Sequence, residues 1–154
     1  MFSKSILYLV IMLTIISSCI SDRTVKNSPD DIIAQAQDYY DRKKFNEAIE
    51  LLEIILQDDS LNYEAIYLRA GCNFFLKKYD DTIQDLLIVA EAGYREYDAN
   101  YNIGNTYWIL AEYSNAVKYF KKALILEPNN QEVKDFIEVL EEAVEIFEDP
   151  KNIY

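Results

Sequence analysis

Phe45 in the segment KKFNEA, Tyr79 in KKYDDT and Tyr113 in AEYSNA follow one another at intervals of 34 residues, with no insertion between them. A period of that size marks a chain of stacked units, each of which cannot bury its apolar face alone and leans on the next. Frames drawn at 29–62, 63–96 and 97–130 bring a small residue into register at Ala36, Ala70 and Gly104, and a second at Ala48, Thr82 and Ala116. Aromatics recur at Tyr40, Phe74 and Trp108. Ile49, Leu52 and Ile55 in the first copy, and Ile83, Leu86 and Val89 in the second, fall at helical spacing and read as core. Two helices can cross closely only where a small side chain stands between their backbones, which explains the two small positions in each unit.

A 34-residue unit with small residues at its eighth and twentieth places resembles the tetratricopeptide repeat, a pair of antiparallel helices. The third copy carries the resemblance best, with Gly104, Tyr107, Tyr113, Ala116, Phe120, Ala123 and Pro128 in place. The first two depart from it by setting Ile55 and Val89 against Ala123, and Ser60 and Tyr94 against Pro128. The resemblance implies an all-α fold: a right-handed α-solenoid of three helical hairpins closed by a C-terminal capping helix.

Punctuation agrees with that reading. Ser28 before Pro29 is an N-cap with proline in the first turn, and Asp30 and Asp31 complement the positive end of the helix dipole. Asn129 with Glu132 three residues on has the form of a capping box. Val133, Phe136, Ile137, Leu140, Val144 and Phe147 then make one apolar stripe, so a capping helix is expected over 131–149, before a tail at 150–154. Eight acids against Lys134 alone in that helix oppose the dipole at its C-terminus, where fraying is expected.

Composition excludes several functions. The 154 residues carry 15 Lys plus Arg against 27 Asp plus Glu, a net charge of −12 that repels a phosphate backbone, so nucleic acid is not an expected partner. There is no histidine, which removes the Ser/His/Asp triad and Cys/His proteases, and Cys19 and Cys72 cannot complete a structural zinc site. Gly71, Gly93 and Gly104 stand alone, so no phosphate loop is present. Glu138/Glu142 and Glu141/Glu145 lie one helical turn apart without a calcium loop and read as a solvated face. Neither an enzyme nor a cofactor or metal is expected. The Lys43-Lys44 and Lys77-Lys78 pairs fall in the turns between helices and read as charges favouring the preceding C-termini.

The N-terminus reads as an export signal. Lys4 precedes an apolar core from Ile6 to Ile16, shorter than the ~20 residues of a spanning helix. Ile16-Ser17-Ser18-Cys19 resembles the bacterial lipobox, which implies a signal peptide over 1–18, acyl and diacylglyceryl (palmitate-type) lipidation of Cys19, and a tether over 19–28. Ile20 in place of an aspartate favours the outer membrane, periplasm-facing. Cys72 is then the remaining thiol of the exported chain and reads as a small core residue.

In the repeat family, first helices line a concave groove, and its usual contact places fall here on Asp30, Ile33, Gln37, Tyr40 and Asp41; on Glu64, Tyr67, Gly71, Phe74 and Phe75; and on Asp98, Tyr101, Asn105, Trp108 and Ile109. The groove so nominated is aromatic with an acidic edge formed by Asp41, Glu64 and Asp98, suited to positive groups on a protein or peptide partner. Tyr40, Phe74 and Trp108 serve equally well as packing residues or as groove. The family's carboxylate-capturing version is not expected: Asn105 alone matches it, and Ile33, Tyr67 and Tyr101 stand where lysines would be needed. The reading is a membrane-tethered, non-catalytic adaptor of the bacterial cell envelope. A structural subunit of an envelope or pilus assembly, and a periplasmic small-molecule-binding accessory of a transporter, are the alternatives.

Overall fold

The computed structural model describes residues 28–147; the signal sequence, Cys19, most of the tether and everything after Phe147 lie outside them. Among the described residues there are seven helices and no strand: α1 (Pro29–Asp41), α2 (Phe45–Asp58), α3 (Tyr63–Phe75), α4 (Tyr79–Glu91), α5 (Glu96–Ile109), α6 (Tyr113–Leu126) and α7 (Gln131–Phe147). Consecutive helices pack on one another, and α1 also touches α3, so the hairpins α1/α2, α3/α4 and α5/α6 stack in sequence with α7 against α6.

The small residues sit at the crossings. Ala36, Ala48, Ala70 and Ala116 are fully buried, and Thr82 is 1% exposed, its hydroxyl donating to the Lys78 carbonyl at 2.9 Å. Leu52, Leu86 and Phe120 occupy equivalent places opposite Ala36, Ala70 and Gly104. The third pair is the informative one: a Cβ on Gly104 would stand 3.0 Å from the Phe120 ring, so the larger ring fills the space that the missing methyl leaves. Cys72 is buried in the first core cluster, as a small core residue. Arg69 on α3 crosses the stack edge, donating to both Asp85 carboxylate oxygens of α4 at 2.9 and 2.7 Å and to Glu53 of α2 at 2.5 Å. The Asp85 side chain is 6% exposed, and the fork-to-fork bond is what makes its burial tolerable.

Helix ends follow local chemistry. Ser28 Oγ accepts from the Asp31 amide at 3.2 Å while the Ser28 amide donates to Asp31 at 3.1 Å, a reciprocal capping box. The cap of α7 is displaced by one residue from the sequence expectation: Asn130 Oδ1, not Asn129, accepts from the Val133 amide at 3.2 Å, because Pro128 and Asn129 still belong to the turn. At each hairpin turn the last carbonyls are satisfied by backbone. Lys43 and Lys44 donate to Tyr40 and Tyr39, Lys77 and Lys78 to Phe74 and Asn73, and Ala111 and Glu112 to Trp108 and Tyr107. Lys43, Lys77 and Ala111 all take φ near +60° to make those bonds, so the lysines act there first through backbone conformation. That Ala111 does the same without a charge shows the turn to be a repeat feature.

Candidate functional site

Packing the first helices side by side leaves a trough of about 570 Å³ across α1, α3 and α5. Its walls are Ile33, Gln37 and Tyr40 from α1, Glu64, Tyr67, Gly71, Phe74 and Phe75 from α3, and Asn102, Asn105, Trp108 and Ile109 from α5. Leu68, Ala70, Thr82 and Leu86 form the floor, and Arg95 enters from the loop before α5. Gly71 keeps the middle open, since a Cβ there would meet the Tyr40 ring at 3.1 Å.

The twelfth-place aromatics both pack and line the trough. Tyr40 meets Phe45 edge-on at 5.6 Å and Phe75 at 5.8 Å, while Phe74 meets Tyr79 at 6.0 Å and Phe75 at 5.7 Å. Trp108 leans edge-on against Phe136 of α7 at 5.2 Å and still leaves 46% of its surface in solvent. Phe75, stacked on Phe45 at 4.9 Å, is 54% exposed. Fixed rings that keep open faces have little rotamer entropy to lose on contact.

Four nominated residues stand elsewhere, the first of them Asp30, which is exposed in the first turn of α1 and does not line the trough. Asp41 is exposed beyond the trough wall, where its carboxylate accepts from Gln37 Nε2 at 2.9 Å. Asp98 flanks the trough without lining it and pairs with Arg95 at 3.8 Å. Tyr101 turns toward the next crossing, edge-on to Phe120 at 5.4 Å and stacked on Tyr97 at 6.0 Å, and borders a shallower hollow between α5 and α7. Asn105 and Trp108 are common to both hollows. Tyr101 holds the same repeat place as Tyr67, but the helix across its gap is α7 where that of Tyr67 is α5.

Sequence reasoning missed Arg95 and Asn102. Arg95 lies in the loop between repeats, outside the family's usual contact places, and takes φ 44°, ψ 43°, directly after Gly93 at φ 72° and Tyr94. That left-handed bend swings its guanidinium over the Tyr67 ring at 5.2 Å and the Tyr94 ring at 5.9 Å. The lone glycine in the loop was the available signal. Asn102 donates to the Tyr67 hydroxyl at 3.2 Å. Burial pushes the Tyr67 phenol above its ordinary range and Asp98 adds to the rise, while Arg95 and Asn102 oppose it. Tyr40 is raised mainly by burial, and the Cys72 thiol beneath is pushed up to about 11 by the same cause. Among the described residues no group of three acidic or cysteine side chains is placed to hold a metal ion, and no helix is long and apolar enough to cross a membrane.

With this geometry, comparison with known proteins is specific about the repeat. Residues 97–130 match the family model of the tetratricopeptide repeat, and residues 18–89 match that of the anaphase-promoting complex, cyclosome, subunit 3. The third unit thus matches the tetratricopeptide repeat at the level of sequence. Among solved structures of this type, MamA superposes with a TM-score of 0.69 at 23% identity, over 77% of this chain and 64% of that one. The first tetratricopeptide domain of Spaghetti (RPAP3), bound to the HSP90 peptide SRMEEVD, gives 0.67 at 23% identity, over 75% and 92%. These likenesses establish the tetratricopeptide solenoid as the fold. The anaphase-promoting complex subunit CDC16 of Saccharomyces cerevisiae is 26% identical over 108 residues, 70% of this chain, which spans only 13% of that protein's length.

Proposed function

We propose that the chain is a non-catalytic scaffold that docks a segment of a partner protein in its trough, held at the bacterial envelope by a lipid on Cys19. The observation that carries the docking reading is the continuous aromatic wall from Tyr40 through Phe75 to Trp108, built on three successive first helices with two rings half exposed. A concave surface with rigid aromatic anchors is where association energy concentrates. The RPAP3 domain of the same fold holds a peptide, which supports a peptide-sized occupant; Ile33 and Tyr67 in the trough wall argue for an apolar one here rather than a captured carboxylate. The tether rests on Ile16-Ser17-Ser18-Cys19 alone.

Two variants test the two halves. Phe75→Ala combined with Trp108→Ala should weaken capture of the partner from envelope extracts by ~2 kcal/mol or more, with the fold intact by circular dichroism. Cys19→Ala should leave unprocessed precursor and no lipid label, and normal processing in that variant refutes the anchor. A small-molecule accessory of a transporter is the second reading, favoured by a volume within the usual range of ligand pockets. A thermal shift with a planar or sugar metabolite, lost in the same double variant, would support it over the scaffold.

A further inference from the structure

Acidic residues occupy the first turn of every first helix and of the capping helix: Asp30 and Asp31 on α1, Glu64 on α3, Glu96 and Asp98 on α5, and Glu132 on α7. Glu64 lines the trough and Asp98 flanks it beside α5, which gives that edge its negative charge, and Arg95 is the one cation in the trough lining. Its seat has three sides: the Tyr67 ring at 5.2 Å, the Tyr94 ring at 5.9 Å and the Asp98 carboxylate at 3.8 Å. Ring faces backed by a carboxylate form a receptor for a guanidinium or ammonium group. The occupant lies at the surface. Its side chain is 53% exposed, its ion pair is long, and its backbone takes a left-handed conformation that suits glycine better than arginine.

We propose that this seat is the specificity pocket of the trough, that it receives an arginine or lysine of the partner segment, and that Arg95 is a placeholder which the partner's cation displaces. This inference rests on the docking reading above and adds the chemistry of the partner: an apolar segment flanked by a basic residue that lies on the acidic edge. Arg95 swings out on the Gly93–Arg95 bend as the partner's cation enters. The seat's charge is then unchanged, because one cation replaces another over the same rings and carboxylate. Arg95 thus sets a threshold that an uncharged segment cannot cross.

The test uses a short fluorescein-labelled peptide of leucine, phenylalanine and arginine, with a twin carrying glutamate for each arginine, and reads affinity by anisotropy on the folded chain. The basic peptide should bind in preference to its twin. Arg95→Ala should tighten it by roughly fivefold or more, as expected when a competing cation leaves an aromatic site. Arg95→Gly, which fits the left-handed backbone and protects the fold, should do the same. Asp98→Asn and Tyr67→Leu should weaken it. The proposal is overturned if both Arg95 variants leave the affinity unchanged or lower it, which includes no binding up to about 1 mM. Loss of binding in Phe75→Ala/Trp108→Ala with no response to the Arg95 variants would keep the trough and remove the seat. A response to Arg95 that the double variant does not affect would keep the seat and remove the trough.

Discussion

Gly104 shows how one missing methyl decides a crossing. The two earlier units pair Ala36 with Leu52 and Ala70 with Leu86, and the third pairs Gly104 with Phe120, so volume moves from one helix to the other while the crossing stays closed. Gly104→Ala gains up to ~1 kcal/mol of helix propensity but drives a Cβ into a ring that is fully buried and cannot retreat, at ~1–3 kcal/mol. The variant should melt below the parent. Adding Phe120→Leu recreates the pairing of the other units, so the double variant should be more stable than the sum of the two single changes; strict additivity would disprove the coupling. The exchange is written in the sequence, since the 34-residue register alone puts Gly104 and Phe120 opposite each other in the same places as Ala36 and Leu52. What the register does not carry is which helix stands across the gap. Tyr101 keeps the place of Tyr67 yet turns to Phe120 and Tyr97, because its neighbour across the gap is α7 and not another first helix.

Individual helices were legible wherever apolar spacing and caps agreed. Ser28 and Pro29 mark the start of α1, and the register placed the second helices of all three units by their leading aromatics Phe45, Tyr79 and Tyr113. The N-cap of α7 falls on Asn130 and not on Asn129, since two adjacent asparagines offer equivalent caps and only the turn geometry after Pro128 selects one. The bend before α5 was not legible: Gly93 announced one left-handed residue, but nothing in the sequence announced a second at Arg95. Of the trough, the ring-bearing wall could be read from repeat positions. The polar insert of Arg95 and Asn102 could not, because one comes from a loop and the other donates to a phenol that a different unit supplies. Asp41 and Asp98 stand outside the trough lining: Asp41 accepts from Gln37 at 2.9 Å, and Asp98 sits at the trough's edge beside Arg95 at 3.8 Å.

The molecule as a whole half-buries phenols and fully buries a thiol between its helices, which bears on how it responds to alkali. Cys72 is raised from 9.0 to about 11, and Tyr40, Tyr67, Tyr97 and Tyr107 are raised above 10.0, each chiefly by burial. A raised folded-state value means that the unfolded chain gives up its protons first, so stability is complete below pH 9 and falls as pH climbs through about 11. Chemical denaturation between pH 8 and 11 should show that decline, and Cys72→Ala should flatten its early part; a constant midpoint across the range would contradict the burial of these groups. The central claim is that the concave side carries the contacts and the convex side does not. A photo-crosslinking amino acid placed at Phe75 or Trp108 in the trough, and at Ile54 or Ile125, exposed residues of the second helices, reads it directly. The account predicts one discrete crosslinked partner band from the two trough sites and none from the two others. Equal crosslinking at Ile54 and Ile125, or a band from those sites alone, would contradict it.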